Sequence, residues 1–317
     1  MKDENIQPHI FGITASGMKL IALTAMFFDH FAVVYLSDFM LKGDWTQLSV
    51  RSDYLSSHEG SMLAIAYSVL RLVGRISFPI YAYLIAEGLS YTSNRMKYSL
   101  RLFIFALLSE IPFDIAFHKQ WFDFGSQNVF WTLFIGLLVI CAIDYFEQDK
   151  KTEHFILLRE CILLLVTASG AILAKAFHTD YGMKGVIAIV LIYLIKMGSR
   201  KRACAYALSA FAAEIFYRFL SNQRSDEIWI SLCLVLLIFI ACNIPFVNVS
   251  AVLCACLFIA SLNFSGIYSI LAVVPVFFYN SRKGRGWKWF FYVCYPLHLI
   301  LLSLLRMVAG YKVFFPA

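Results

Sequence analysis

Apolar stretches recur along the whole chain, and none of the intervals between them is long enough to hold a folded soluble domain. The stretches fall at 17–36, 67–87, 99–117, 128–146, 159–177, 183–197, 203–220, 228–242, 247–262, 264–279 and 290–309. A hydrocarbon core about 30 Å thick needs roughly 20 apolar residues per helix. In lipid every backbone polar group must be satisfied internally, so helices are the natural spanning element. This pattern predicts an all-α, polytopic transmembrane bundle of ten or eleven spans, forming a single domain over residues 1–317. The count drops to ten if one of the four shorter stretches is re-entrant. Composition agrees: 61% of residues are apolar and 15% charged, against about 25% charged in a soluble domain.

The loop charges give an orientation. Arg95, Lys97 and Arg101, then Lys150, Lys151 and Arg159, then Arg200, Lys201 and Arg202, and finally Arg282, Lys283, Arg285 and Lys288 form basic loops. They alternate with acidic or nearly neutral ones such as 37–61 and 178–182. By the positive-inside rule the basic loops and the N-terminal segment 1–16 lie in the cytoplasm. The net charge of +7 therefore reflects topology and gives no reason to expect nucleic acid as a partner. Nucleotide-binding fingerprints are absent, and Cys254 and Cys256 form a CxC pair with no zinc-finger histidines following, so no metal site is expected.

Ionisable groups within spans cost about 2.5–3.5 kcal/mol each on insertion scales and mark functional sites. This chain has Asp29 and His30 in the first span, Arg71 and Arg75 in the second, Glu110 and Asp114 in the third, and His298 in the last. At 1.5 Å per residue, His30 lies about 20 Å beyond Gly17, and the other pairs reach a similar outer layer. Arg71 and Arg75 share one helix face, as do Glu110 and Asp114, and the two pairs are expected to meet. His30 titrates nearest neutrality and is the candidate general base. Pro296 breaks the last span just before His298. The basic, glycine-containing run Asn280 to Gly286 has the composition of a phosphate cradle.

These residues sit in recurring motifs. Lys19, Ile21, Ala22, Met26, Asp29 and His30 stand at K-x-I-A-x-x-x-M-x-x-D-H spacing. Arg71 to Pro79, Ala86-Glu87-Gly88, Asn94-Arg95, Ser109 to Asp114, Asn128 to Leu133, Asp180-Tyr181-Gly182, Asn280 to Gly286 and Phe291 to Leu299 follow in order. In these runs, over most of its length, the chain resembles the TraX family. The resemblance implies a bacterial inner-membrane acyltransferase that takes an acetyl group from cytoplasmic acetyl-CoA; the family's type member acetylates a pilin N-terminus. It implies catalytic roles for His30, Asp29, Arg71, Arg75, Glu110 and Asp114. Donor binding would fall to Asn280, Arg282, Lys283, Arg285, Tyr181 and His298. The acceptor would be a peptide amine, or a glycan or lipid hydroxyl, reached from the membrane or outer face.

Two other readings use the same residues. Buried charges and broken helices also line transporter and flippase pathways, although no inverted repeat is visible. A non-catalytic assembly factor for membrane-inserted pilin would use the ion pairs only to hold its bundle.

Overall fold

A computed structural model describes residues 12–37, 58–148, 156–220, 233, 236–262 and 264–309. The N-terminal residues 1–11 and, within the expected span 228–242, residues 228–232, 234 and 235 lie outside the described residues. The architecture is a helical bundle. Its helices are α1 (Ala15–His30), α2 (His58–Gly74), α3 (Ser77–Tyr91), α4 (Arg95–Phe117), α5 (Val129–Gln148), α6 (Ile156–Ala176), α7 (Gly182–Lys196), α8 (Arg200–Leu220), α9 (Val247–Leu262), α10 (Val273–Phe277) and α11 (Lys288–Val308). Residues 236–242 add a further helical stretch before α9. Among the described residues the only β pairings are two isolated bridges, Ile13 with Tyr279 and Gln127 with Thr179.

Five segments are long and apolar enough to cross a membrane: Ala15–Leu36, Met62–Tyr91, Val129–Gln148, Ile156–Ala176 and Lys288–Val308. The chain is thus a multi-pass membrane protein. The remaining expected spans are shorter or more highly charged helices packed among these. The expected second span, 67–87, is broken at Arg75 and Ile76 into α2 and α3. The expected span 264–279 is a 3-10 helix over Phe264–Ala272 followed by the five-residue α10.

Local chemistry sets the helix starts. Thr14 caps α1 by accepting a hydrogen bond from the Gly17 amide at 3.2 Å, and Asn94 caps α4 through the Lys97 amide at 2.8 Å. At the centre lies α7, whose residues Val186 to Ile195 are all buried. Helices α3, α5, α6, α8 and α9 surround it. Close approach requires Gly170 on α6, where a Cβ would sit 2.2 Å from Val139 Cγ2. The outward faces stay apolar: Leu157, Leu165 and Ile172 of α6 are exposed, a surface that suits lipid.

Candidate active site

Helix α1 is regular up to His30 and then widens into a π-helix over Phe31–Leu36. Such π turns are uncommon and often accompany functional sites. Arg306 of α11, 1% exposed, holds the widened turn. Its Nε donates to the Val34 carbonyl at 3.1 Å, and its Nη2 donates to the carbonyl of Ala116 on α4. His30 and His298, 9% and 8% exposed, lie where α1, α4 and α11 meet. Their rings are nearly parallel, 12° between planes, with centroids 4.9 Å apart. His30 Nδ1 is 2.7 Å from His298 Nε2, and His298 Nδ1 is 2.8 Å from the Cys294 carbonyl oxygen. Phe117 meets the His30 ring edge-on at 5.1 Å, and Tyr295 lies 6.0 Å from it.

Asp29 faces another way, because adjacent helical residues diverge by about 100°. Its Oδ2 accepts a hydrogen bond from Arg71 Nη1 at 2.7 Å in an α1–α2 ion pair. Gly74 makes room: a Cβ there would lie 2.2 Å from Asp29 Cβ. Arg75, in the break between α2 and α3, acts electrostatically on Tyr181, whose ring stacks on Phe78 at 3.7 Å. The loop carrying Tyr181 is fixed by Gln127, whose amide donates to the His178 carbonyl at 3.0 Å and whose carbonyl accepts from the Asp180 amide at 2.9 Å. Asp180 is accessible, yet enclosing protein raises its carboxyl to about 6; the Asp29 carboxylate adds to the rise, and Arg75 and Arg71 oppose it.

The expected meeting of Arg71 and Arg75 with Glu110 and Asp114 does not occur. Glu110 Oε2 instead accepts hydrogen bonds from Trp131 Nε1, at 2.8 Å, and from Asn128 Nδ2. Asp114 Oδ2 accepts the Asp123 amide at 2.9 Å, and Asp123 pairs with His118 at 3.0 Å. Both carboxylates therefore anchor α5 and the 118–128 loop. The physical reason is helix adjacency: α2 packs on α1, whereas α4 packs on α5 and α11.

A cavity of about 560 Å³ lies between α1, α3, α4, α5 and α11. Lys19, Arg101, Lys283 and Lys288 line it, as do Met26 and Tyr295. It follows α1 from Ala15 to Met26, about 16 Å at 1.5 Å per residue. On α11 it runs from Lys288 to Tyr295. The basic groups thus sit toward one face of the bundle, and the inner part reaches Tyr295, beside the histidine pair. Glu87 also lines the wall, ion-paired with Lys196 and accepting the Tyr279 hydroxyl at 3.2 Å.

The basic loop is placed differently from a free phosphate cradle. The Ile13 amide donates to the Phe278 carbonyl at 2.8 Å, Asn280 N to Ile13 O at 3.0 Å, and Ala15 N to Arg282 O at 2.8 Å. The Asn280 side chain donates to the Gly12 carbonyl at 3.1 Å and accepts the Arg282 amide at 3.1 Å. These bonds hold Ser281 and Lys283 at the cavity wall. Arg282 and Arg285 are not on that wall, and the Arg285 guanidinium lies over Trp287 at 5.4 Å. Tyr181 is likewise away from the wall, and His298 stands against His30 rather than at the basic end. Sequence reasoning did not single out Lys19, Arg101 or Lys288 as donor ligands, nor Glu87, although Lys19 and Glu87 both fall within quoted motifs. Among the described residues no group of His, Cys, Asp and Glu side chains could hold a metal ion.

Residues 14–248 match the family described as TraX protein. The chain belongs to the TraX family. The matched region contains His30, the Asp29–Arg71 pair and Asp180, while His298 and the basic loop lie beyond it. The chain is 25% identical over 305 residues to the probable fimbrial assembly protein FimC, serogroup H1, of Dichelobacter nodosus, covering 93% of this TraX-family chain and 96% of the relative. No solved structure matches it.

Proposed function

We propose that this TraX-family protein is a membrane-embedded acetyltransferase that moves an acetyl group from acetyl-CoA to an amine or hydroxyl acceptor. The observation that carries the reading is the cavity, which joins four basic side chains to the neighbourhood of a buried histidine. Its length along α1, about 16 Å, is about half the ~30 Å hydrocarbon core. It would take an extended acyl arm with its phosphates at the basic face, which the loop charges put in the cytoplasm.

His30 Nε2 accepts the proton of the acceptor N–H or O–H as that atom attacks the thioester carbonyl. The new C–N or C–O bond forms, the C–S bond breaks, and the proton passes from His30 to the coenzyme A thiolate. Transfer is direct, without an acetyl-imidazole intermediate. Arg71 is committed to Asp29 and supports the α1–α2 contact rather than a developing oxyanion. Glu110 and Asp114 anchor α5 and the 118–128 loop. The bacterial inner membrane is the setting this reading requires.

A fimbrial assembly role without catalysis is the second reading, favoured by the name of the Dichelobacter nodosus relative. Purified protein in lipid nanodiscs, given acetyl-labelled acetyl-CoA and membrane extract, separates the two. Wild type should pass label to a membrane-associated acceptor, and a folded His30→Ala protein should not. Equal labelling by both proteins, or none by either, would favour the assembly role.

A further inference from the structure

The residue that orients His30 is not the carboxylate beside it in sequence. Asp29 is turned to Arg71 at 2.7 Å, and the group within hydrogen-bond distance of the His30 ring is the imidazole of His298. We infer that His298 is a positioning residue that fixes the tautomer of His30, so that His30 presents a bare Nε2 as the base. This inference rests on the acetyltransferase reading for its purpose, but not for its geometry.

The argument is a count of protons along a chain of fixed acceptors. The Cys294 carbonyl oxygen can only accept, so His298 Nδ1, 2.8 Å away, carries a proton. A neutral His298 then has a bare Nε2. The 2.7 Å contact between that nitrogen and His30 Nδ1 holds one proton, which must belong to His30 Nδ1. A neutral His30 is therefore protonated at Nδ1 and unprotonated at Nε2. When Nε2 takes up a proton, the polarity of the chain does not change: Nδ1–H still donates to His298, and the new imidazolium is stabilised by a neutral imidazole. In a catalytic triad a carboxylate performs this orienting task; here a second histidine does it.

The packing enforces the arrangement. Phe27 and Tyr295 lie 6.2 Å and 5.5 Å from the His298 ring, and Phe117 and Tyr295 flank His30. The charged side chain acting on His30 is Arg71, already paired with Asp29. Arg306, two helical turns beyond His298 on the same face, holds the π turn that follows His30. One face of α11 thus fixes both the ring and the backbone of the base.

The test is nitrogen NMR on full-length protein in nanodiscs with ¹⁵N-labelled histidine, with signals assigned by His30→Gln and His298→Gln variants. His30 should give a single tautomer, protonated Nδ1 and bare Nε2. In His298→Phe, which keeps a ring but no acceptor, that signal should shift toward a mixture of both tautomers. With acetyl-CoA as donor, His298→Phe should lower kcat roughly 100-fold and leave the KM for acetyl-CoA within about twofold. A wild-type His30 protonated at Nε2 with Nδ1 bare, or a tautomer unmoved by His298→Phe, overturns the assignment. The expected spectra from a protein that transfers no acetyl group would defeat the acetyltransferase reading and leave this assignment intact.

Discussion

Replacing Lys19 by Met tests the donor site with two opposed readouts. Lys19 lies on the cavity wall near Lys283 and Lys288, and these like charges act on one another. Its ammonium also lies 5.6 Å from the Phe291 ring centroid. With no donor bound, the lysines repel, so losing one should leave the empty protein as stable as wild type or more stable. With acetyl-CoA bound, a phosphate contact to an ammonium is a charge-assisted hydrogen bond. Such a bond contributes about 1.5–3 kcal/mol, which at 1.4 kcal/mol per decade weakens binding roughly 10- to 100-fold. Titration calorimetry of nanodisc-embedded protein reads the affinity, and thermal unfolding reads the stability. Arg282→Gln and Arg285→Gln, off the cavity wall, should each change the affinity less than about threefold, since exposed charges are screened. Wild-type affinity in Lys19→Met, or a larger loss in the two loop variants, would refute the placement of the phosphates.

Further outcomes follow from the same geometry. A double-mutant cycle on Asp29→Asn and Arg71→Gln should give a coupling of about 1–3 kcal/mol. The cycle on Arg71→Gln and Glu110→Gln should give none within about 0.5 kcal/mol; chemical unfolding in mild detergent measures both. Gly74→Ala should lower stability by about 1–3 kcal/mol, because its Cβ meets Asp29; an unchanged unfolding midpoint would contradict the α1–α2 contact. Asp180, raised to about 6, binds its proton more tightly in the folded state than in the unfolded chain. Its ionisation therefore disfavours the fold increasingly as pH rises from about 4 to 6. Asp180→Asn should raise the melting temperature more at pH 7.5 than at pH 4, and equal shifts would contradict that charge environment.

Hydropathy alone located much of the bundle. The first span, expected at 17–36, is the continuous helix Ala15–Leu36, and its D-H pair stands out in the sequence as ionisable groups within an apolar run. What periodicity leaves open is which helix faces which. It put Arg71 and Arg75 on one face and Glu110 and Asp114 on another, but α2 and α4 are not neighbours, so the pairs never meet. The partner of Asp29 depends on Gly74, whose significance is a missing Cβ. The Asn280–Gly286 loop has the composition of an anion cradle, yet its backbone is hydrogen-bonded to residues 12–16. The cavity-wall cations Lys19, Arg101 and Lys288 belong to three helices far apart in sequence, and only folding brings them to one wall. His298 was visible as an intramembrane histidine, but its contact with His30 spans 268 positions of chain.

An experimental structure with a non-transferable acetyl-CoA analogue, such as the thioether, tests the central claim most directly. The account predicts phosphate density beside Lys19, Arg101, Lys283 and Lys288, with the acyl end beside Tyr295 and within reach of the His30–His298 pair. Density for the analogue elsewhere, or an empty cavity at saturating analogue, would contradict it.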